Sequence, residues 1–526
     1  MKKKCFFAWA AGLIITMMVG CNDLDNYSVS PNHQLSFSTD TLSFDTIFTT
    51  IGSTTGYFMI YNKNDEALKI DRILLASGGR SGFRINVDGR KGDNFSEIPI
   101  WKKDSLYVAV EVTVDPNDNN SPFIIYDSVV FITNGIAKSV RLEAYGQNAH
   151  ILRGGAIFNR DTTLTAERPY LVYDSIMIPE GVTVNVERGV SFYMHKGAKW
   201  LIDGTIKTNG THDEPITFRG DRLNNLNLFS TTISYDKVSS QWDGMFFGAS
   251  SFDNELNYTM IRNGISGLTF EESTPDNKKM DIRNSQITNM DGNVLWAVNC
   301  HIEASNTEFS NASDHLVMLS GGKYQFTHCT MANYMPPIMM SKNRSRYTQS
   351  LTLYDRIINK GEDNKEETLM FPLIQAYFDN CIIDGNSFSA DTTKKYSGEI
   401  AFFTDSAYVN GDNEQFNYRF NHCAINTSKV ENERFIRNIF IIKNTETDSI
   451  KYIKSNERVS ESKDREYDYA FDFRLANESP VIGKADRVIS EQYPTDRYGI
   501  NRLTTENGPS IGAYEHVPQE ENKEEK

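Results

Sequence analysis

Ile282-Arg-Asn284-Ser285-Gln-Ile287-Thr-Asn289 is followed by Ala304-Ser-Asn306-Thr307-Glu-Phe309-Ser-Asn311 and then by Phe326-Thr-His328-Cys329-Thr-Met331-Ala-Asn333, each 22 residues after the last. The same template also fits Leu256-Asn-Tyr258-Thr259-Met-Ile261-Arg-Asn263, Phe378-Asp-Asn380-Cys381-Ile-Ile383-Asp-Gly385 and Phe420-Asn-His422-Cys423-Ala-Ile425-Asn-Thr427. It reads apolar, any, Asn/His/Tyr, small or Cys, any, apolar, any, usually Asn or Gly. A constant step with no helical period between anchors suits one coil of a parallel β-helix, whose strands stack ~4.8 Å apart. The third template position calls for a sharp turn, and Asn tolerates the left-handed backbone such a turn needs. Its amide is expected to bond the next coil, giving an Asn ladder. Ser285, Thr307, Cys329, Cys381 and Cys423 are expected to point inward as a column of small side chains.

Earlier residues have a different texture. Ile176-Met-Ile178-Pro179-Glu180-Gly181-Val-Thr-Val184-Asn-Val186 leads through Gly189 and Phe192 to Gly197-Ala-Lys-Trp200-Leu-Ile202-Asp-Gly204-Thr-Ile206, with glycines at the short intervals of tight corners. This run, with its proline-glutamate-glycine-valine phrase, resembles right-handed parallel β-helix proteins of bacteria. Ser479-Pro480-Val481-Ile482-Gly483, Asp496-Arg-Tyr-Gly499 and Ile511-Gly512-Ala513-Tyr514-Glu515 resemble the closing segment of those proteins. A solenoid has an open end to hide, so an atypical last segment is expected on physical grounds too. The β-helix is placed at 150–456, its closing segment at 457–518 and a disordered charged tail at 519–526.

Before it, Tyr57-Phe-Met-Ile-Tyr61, Phe83-Arg-Ile85-Asn-Val87 and Leu106-Tyr-Val108-Ala-Val110-Glu-Val112 alternate with period two, as do Leu35–Phe37, Leu42–Phe44, Leu68–Ile70 and Val129–Phe131. Some seven short strands in this span predict a β-sandwich over 35–148. The order of Asn62-Lys-Asn64, Val114-Asp115-Pro116, Asp127-Ser128-Val129 and Leu142-Glu-Ala144-Tyr-Gly146 resembles the immunoglobulin-like domains of the bacterial choice-of-anchor and ciliary type. The fold class is therefore all-β, an immunoglobulin-like sandwich followed by a right-handed parallel β-helix.

The N-terminus reads as an address. Lys2, Lys3 and Lys4 precede an apolar run from Cys5 to Val19, too short to span a bilayer comfortably and typical of a secretion signal over 1–20. Met18-Val19-Gly20-Cys21 resembles the bacterial lipobox, with Met18 where Leu is usual, which implies lipidation of Cys21 and a membrane as partner. The acidic Asn22-Asp23-Leu24-Asp25-Asn26 within the tether 21–34 resembles the surface-export signals of Bacteroidetes lipoproteins. An outer-membrane location follows, on either face. A net charge of -15 argues against nucleic acid as a partner, since phosphate binding needs clustered Lys and Arg.

Function is harder to place. The anchor step grows to 52 residues between Phe326 and Phe378 and to 42 between Phe378 and Phe420, so 341–368 and 386–415 read as insertions from the same corner, or as extra coils. Loops on one face of a solenoid are its usual binding surface. Arg344, Arg346, Tyr347 and Arg356 in the first and Asp405 and Tyr408 in the second make them candidates for holding a polysaccharide or an envelope protein. Many parallel β-helix enzymes act on polysaccharides, so the alternative is a lyase or glycoside hydrolase acting on a uronate-containing polymer. Asp379/Asp384 and Asp203/Asp213 show no convergence, and no catalytic residue, metal ligand or cofactor is assigned. His328-Cys329 and His422-Cys423 read as template substitutions with free thiols rather than as zinc ligands. Trp200, Trp242 and Trp296 read as core or stack-edge packing before sugar platforms.

Overall fold

The computed structural model describes residues 26–118, 120–228, 231–336, 348–360, 366–386, 397–404, 415–442, 449–455 and 471–519. The chain divides into two compact units at Asn148/Ala149. The first is a β-sandwich of two five-stranded sheets. One sheet is ordered Ser36–Phe37, Gly56–Tyr61, Ser105–Val112, Phe83–Val87, Arg90–Gly92. The other runs Thr41–Phe48, Ile136–Gln147, Phe123–Thr133, Leu68–Leu75, Asn94–Ile100, with its first two strands parallel. Alternation places Phe58, Ile60, Val108 and Val110 of one sheet and Ile70, Phe131 and Leu142 of the other in a single buried core, as period-two strands facing each other require.

The second unit is a right-handed, β-helix-like stack of three parallel sheets, here numbered I, II and III in the order the chain visits them. Among the described residues sheet I has eleven strands, from His150–Leu152 to Ile439–Phe440. Sheet II has nine, from Ala156–Ile157 to Ile400–Phe403, and sheet III ten, from Thr162–Leu164 to Phe435–Ile436. The predicted step is the hydrogen-bonded register: Ile282 pairs with Ala304 and Ala304 with Phe326 on sheet III. Like side chains therefore stack inside. Phe326, Phe378, Phe420 and Phe435 form one column with centroids 5.2, 4.9 and 5.0 Å apart. Offset stacking of buried rings adds to the burial of their area.

The corner from sheet III to sheet I is the turn the template encodes. Tyr258, Asn284, Asn306, His328, Asn380 and His422 all have φ between 45° and 54°. The residue after each turn is buried, and its side chain serves the neighbouring coil. Thr259 N donates to Ser285 Oγ at 3.1 Å, and Cys329 N and Cys381 N point to the sulfurs of Cys381 and Cys423 at 3.4 Å. All four described cysteines are free, and burial pushes the Cys300 thiol up to about 11, so it stays protonated and inert. The amide ladder is segmented. Asn306 Nδ2 reaches Asn284 Oδ1 at 3.2 Å, and Asn380 Nδ2 donates to His328 Nε2 at 3.0 Å. Between them Asn306 turns to the C-terminal segment, accepting from Arg502 at 3.1 Å.

That segment lies along the outer face of sheet I. Ile511, Ala513 and Tyr514 share a buried cluster with Ala332, Ile382 and Ala424 of the sheet. Ala513 N donates to Thr330 Oγ1 at 2.9 Å and Asp486 N to Asn380 Oδ1 at 2.7 Å. Asp384 accepts from the Tyr334 and Tyr452 hydroxyls at 2.6 and 3.2 Å. Sheet I is consequently closed to solvent over these coils.

The two long inter-anchor spans, read from the sequence as insertions or as extra coils, each hold part of the stack itself. Each carries a strand of sheet II, Leu351–Tyr354 in the first and Ile400–Phe403 in the second, paired to each other and to Val317–Ser320. Each span thus contributes one strand to sheet II, and in the first a hairpin, Arg356–Lys360 with Glu366–Met370, follows that strand. The strand Leu351–Tyr354 within 341–368 went unread because four residues between polar stretches leave little periodic signal.

Candidate binding groove on the second sheet

Strands of sheet II turn alternate residues inward, so the intervening ones form rows on its outer face. One row runs Phe246, Thr269, Trp296, Met318, Thr352, Ala401 by direct register. A second, two residues along each strand, runs Val298, Ser320, Tyr354, Phe403. Tyr354 and Phe403 stack with centroids 4.7 Å apart and planes 7° from parallel. Phe403 remains 49% exposed. A ring pair held this way is a preorganised apolar surface.

A wall rises at the corner between sheets II and III. Arg356–Lys360 pairs antiparallel with Glu366–Met370, a hairpin that projects from the stack. Ile358 and Met370, each 55% exposed, belong to it. Its root is fixed by Asp355, whose carboxylate is 1% exposed. Arg356 Nε donates to Asp355 Oδ1 at 2.5 Å and Nη2 to Oδ2 at 3.1 Å. Thr404 Oγ1, just after the Ile400–Phe403 strand, donates to the same carboxylate at 2.5 Å. One buried acid therefore ties the hairpin's first residue to the residue that follows the Ile400–Phe403 strand. Phe371 N closes the hairpin on Asp355 O at 2.7 Å.

Sheet face and hairpin enclose a groove of about 1020 Å³. Phe246, Trp296, Tyr354, Phe402 and Phe403 give it aromatic walls, with Met318, Val298, Ile357 and Ile358 adding apolar surface. Thr269, Ser320, Thr404, Glu271, Glu272 and Arg356 are its polar members. Burial, with Asp314 adding to it, raises the Tyr354 phenol above its ordinary value, so it remains a neutral donor and acceptor. A mostly apolar cleft with a few polar groups is the usual form of a small-molecule or oligomer site.

Of the candidates expected from sequence, Arg356 lines this groove and is held by Asp355. Cys21, Arg344, Arg346, Tyr347, Asp405 and Tyr408 lie outside the described residues. Trp200 and Trp242 are buried core residues, whereas Trp296, read with them as packing, stands on the groove floor. Asp379 and Asp384 sit on sheets III and I respectively. Asp379 is occupied by Arg419 at 3.1 Å and Gln325 at 2.7 Å. Asp203 follows a strand of sheet II and Asp213 precedes one of sheet I. Neither pair converges on one face. His328 and His422 occupy the left-handed turn, in agreement with their reading as Asn replacements.

No family model matches the chain, and no curated protein matches it. Solved structures resemble it weakly. The catalytic domain of a GH87 alpha-1,3-glucanase aligns with 70% of this chain and 82% of its own, at 10% identity and a TM-score of 0.17. A family 123 glycoside hydrolase from Clostridium perfringens aligns over 23% of this chain at 7% identity and a TM-score of 0.17, and the chain spans only 30% of that enzyme's length. The periplasmic chaperone SfaE aligns over 22% of this chain and 58% of its own, at 12% identity and a TM-score of 0.16. Likeness at this level carries no argument about activity.

Proposed function

We propose that this chain is a lipid-anchored bacterial cell-envelope protein of the outer membrane that binds a glycan in the groove over sheet II. The observation that carries the binding is the aromatic floor: flat side chains along one open sheet face, walled by a hairpin, offer stacking area to the apolar faces of sugar rings. The reading moves the ligand from the polar excursions alone to the sheet between them, with Arg356 at its edge. The positive n-region, short apolar run and Cys21 support an acyl anchor. Diacylation supplies the two chains that stable membrane attachment requires. The immunoglobulin-like unit then serves as a spacer between anchor and groove.

Two measurements test this together. In cells fed a labelled fatty acid, the wild-type chain should carry the label and Cys21→Ser should lose it. The detergent-solubilised mature chain should be retained on a glycan array. Label on the Cys21→Ser protein would remove the anchor, and an array with no retained glycan would remove the binding.

A further inference from the structure

The cover over sheet I is not continuous. Between the Tyr235–Lys237 turn on one side and Phe471 on the other, a pocket of about 270 Å³ opens on its outer face. Ile261, Ile287 and Phe309 belong to the core, so their neighbours along each strand face outward. One outward row runs Arg262, Thr288, Ser310 and the row beside it Gln286, Glu308, by direct register. These five side chains are the floor, and they are largely tied to one another. Ser310 Oγ donates to Glu308 Oε1 at 2.6 Å and lies 2.8 Å from Thr288 Oγ1. Gln286 Nε2 donates to Glu308 Oε1 at 2.9 Å, and the Tyr514 hydroxyl serves Oε2. On the wall, Asp236 Oδ1 stands 3.0 Å from Arg219 Nη2 and 3.1 Å from Arg262 Nη2.

One lining side chain is left over. Asn289 turns the edge of sheet I at φ 61°, as Asn263 at 68° and Asn311 at 52° do in the coils on either side. Asn263 Nδ2 donates to Asp236 O at 2.7 Å, and Asn311 Oδ1 accepts from Tyr334 N at 3.1 Å. Asn289 is only 6% exposed, yet neither its Oδ1 nor its Nδ2 has a partner among the described residues. The left-handed turn explains why an Asn stands there. It does not explain an unmet amide, since a buried polar side chain normally finds a partner. Asn289 lines the pocket, and the pocket is where that partner can enter.

Size, charge and hydrogen bonding each constrain the occupant. The volume is at the small end of ligand sites and suits a single ring. The charged residues that line it, Asp236 and Glu308 against Lys237 and Arg262, cancel, so a net charge of either sign meets as much repulsion as attraction. The idle amide offers an acceptor beside a pair of donors, about as far apart as two neighbouring ring hydroxyls. One hydroxyl can donate to Oδ1 while the next accepts from Nδ2. Phe471 gives the carbon face of such a ring an aromatic surface to lie on.

We infer that this pocket on sheet I binds a single neutral sugar residue, holding two vicinal hydroxyls on the amide of Asn289, at a site separate from the groove over sheet II. Isothermal titration of the mature chain with the methyl hexosides of glucose, galactose and mannose and with the three corresponding uronic acids tests it. At least one hexoside should bind, and its uronic acid should bind about tenfold or more weaker. Asn289→Gly and Asn289→Asp both accept the left-handed backbone, so each should keep the melting temperature while weakening the hexoside by about tenfold or more, the loss expected for a buried hydrogen-bonding pair. The disaccharide of the bound hexose separates the sources: weaker binding supports a free sugar, and equal binding supports the end of a chain. Absence of binding by all three hexosides, equal or tighter binding of a uronic acid, or hexoside binding that survives both variants would overturn the inference. None of these results bears on the groove, whose reading stands or falls on the glycan array.

Discussion

His328 stands where the template has Asn, fully buried under the C-terminal segment, with Nε2 accepting from Asn380 and lying 2.9 Å from the Ser490 hydroxyl. Burial, reinforced by the Arg502 charge, holds its pKa well below the ordinary 6.5. Above 6.5 the ring is neutral in both folded and unfolded chains and costs nothing. As pH falls below 6.5 the unfolded ring takes a proton that the folded one refuses, so stability is lost progressively down to the folded pKa. The loss approaches about 1.4 kcal/mol per pH unit for this one group. His328→Asn keeps the left-handed turn, which Asn284 at φ 52° and Asn306 at φ 48° already adopt at the same template position, and removes the titration. Denaturant unfolding at pH 7.5 and 5.5 should show the wild type losing more stability than the variant between the two. Parallel losses would mean that the ring is not shielded as described.

At the scale of elements, the hairpin Arg356–Lys360/Glu366–Met370 pairs with no other strand among the described residues. It therefore contributes a wall to the groove and little to the stack. Replacing 357–369 with a short Gly-Ser turn, keeping Arg356 on Asp355, should leave circular dichroism and melting nearly unchanged. Glycan affinity should fall by about tenfold, in line with loss of a few well-packed apolar contacts. A large drop in melting temperature would instead make the hairpin structural. The sequence made the coils legible because a side chain must repeat wherever three sheets share one interior, so Ile282, Ala304 and Phe326 betray the step. It left the groove obscure for a physical reason. Outward residues on all three sheets follow the same alternation, and Trp296 on the open sheet looks no different from Thr330 on the covered one. Which face stays open depends on where residues some two hundred positions downstream come to rest, and no local pattern encodes that. Leu351–Tyr354 was hidden too, its four residues buried in a polar stretch.

For the β-helical unit as a whole, the C-terminal segment is what distinguishes one flank from another. Arg502 and Glu515 lie 3.6 Å apart with side chains 0% and 1% exposed, and Arg502 also donates to Asn306 and to Gly512 O at 3.1 Å. Removing residues 471–526 would leave Asn306 without that donor and open Ala332, Ile382 and Ala424 to water. Unpaired buried polar groups cost about 1–3 kcal/mol each. The truncated chain should melt roughly 10 °C or more lower and bind a hydrophobic dye; a shortened chain with wild-type melting would show that the segment is an accessory.

The constant coil carries a consequence for descent. Because the 22-residue turns anchored at Ile282, Ala304 and Phe326 pair in strict register with one another, chain length in this stretch can change by whole coils without disturbing the rest. A tandem duplication at the genetic level would lengthen the groove floor by one strand and a deletion would shorten it by one. Floor length would then be inherited in whole strands, while the walls at each corner diverge independently.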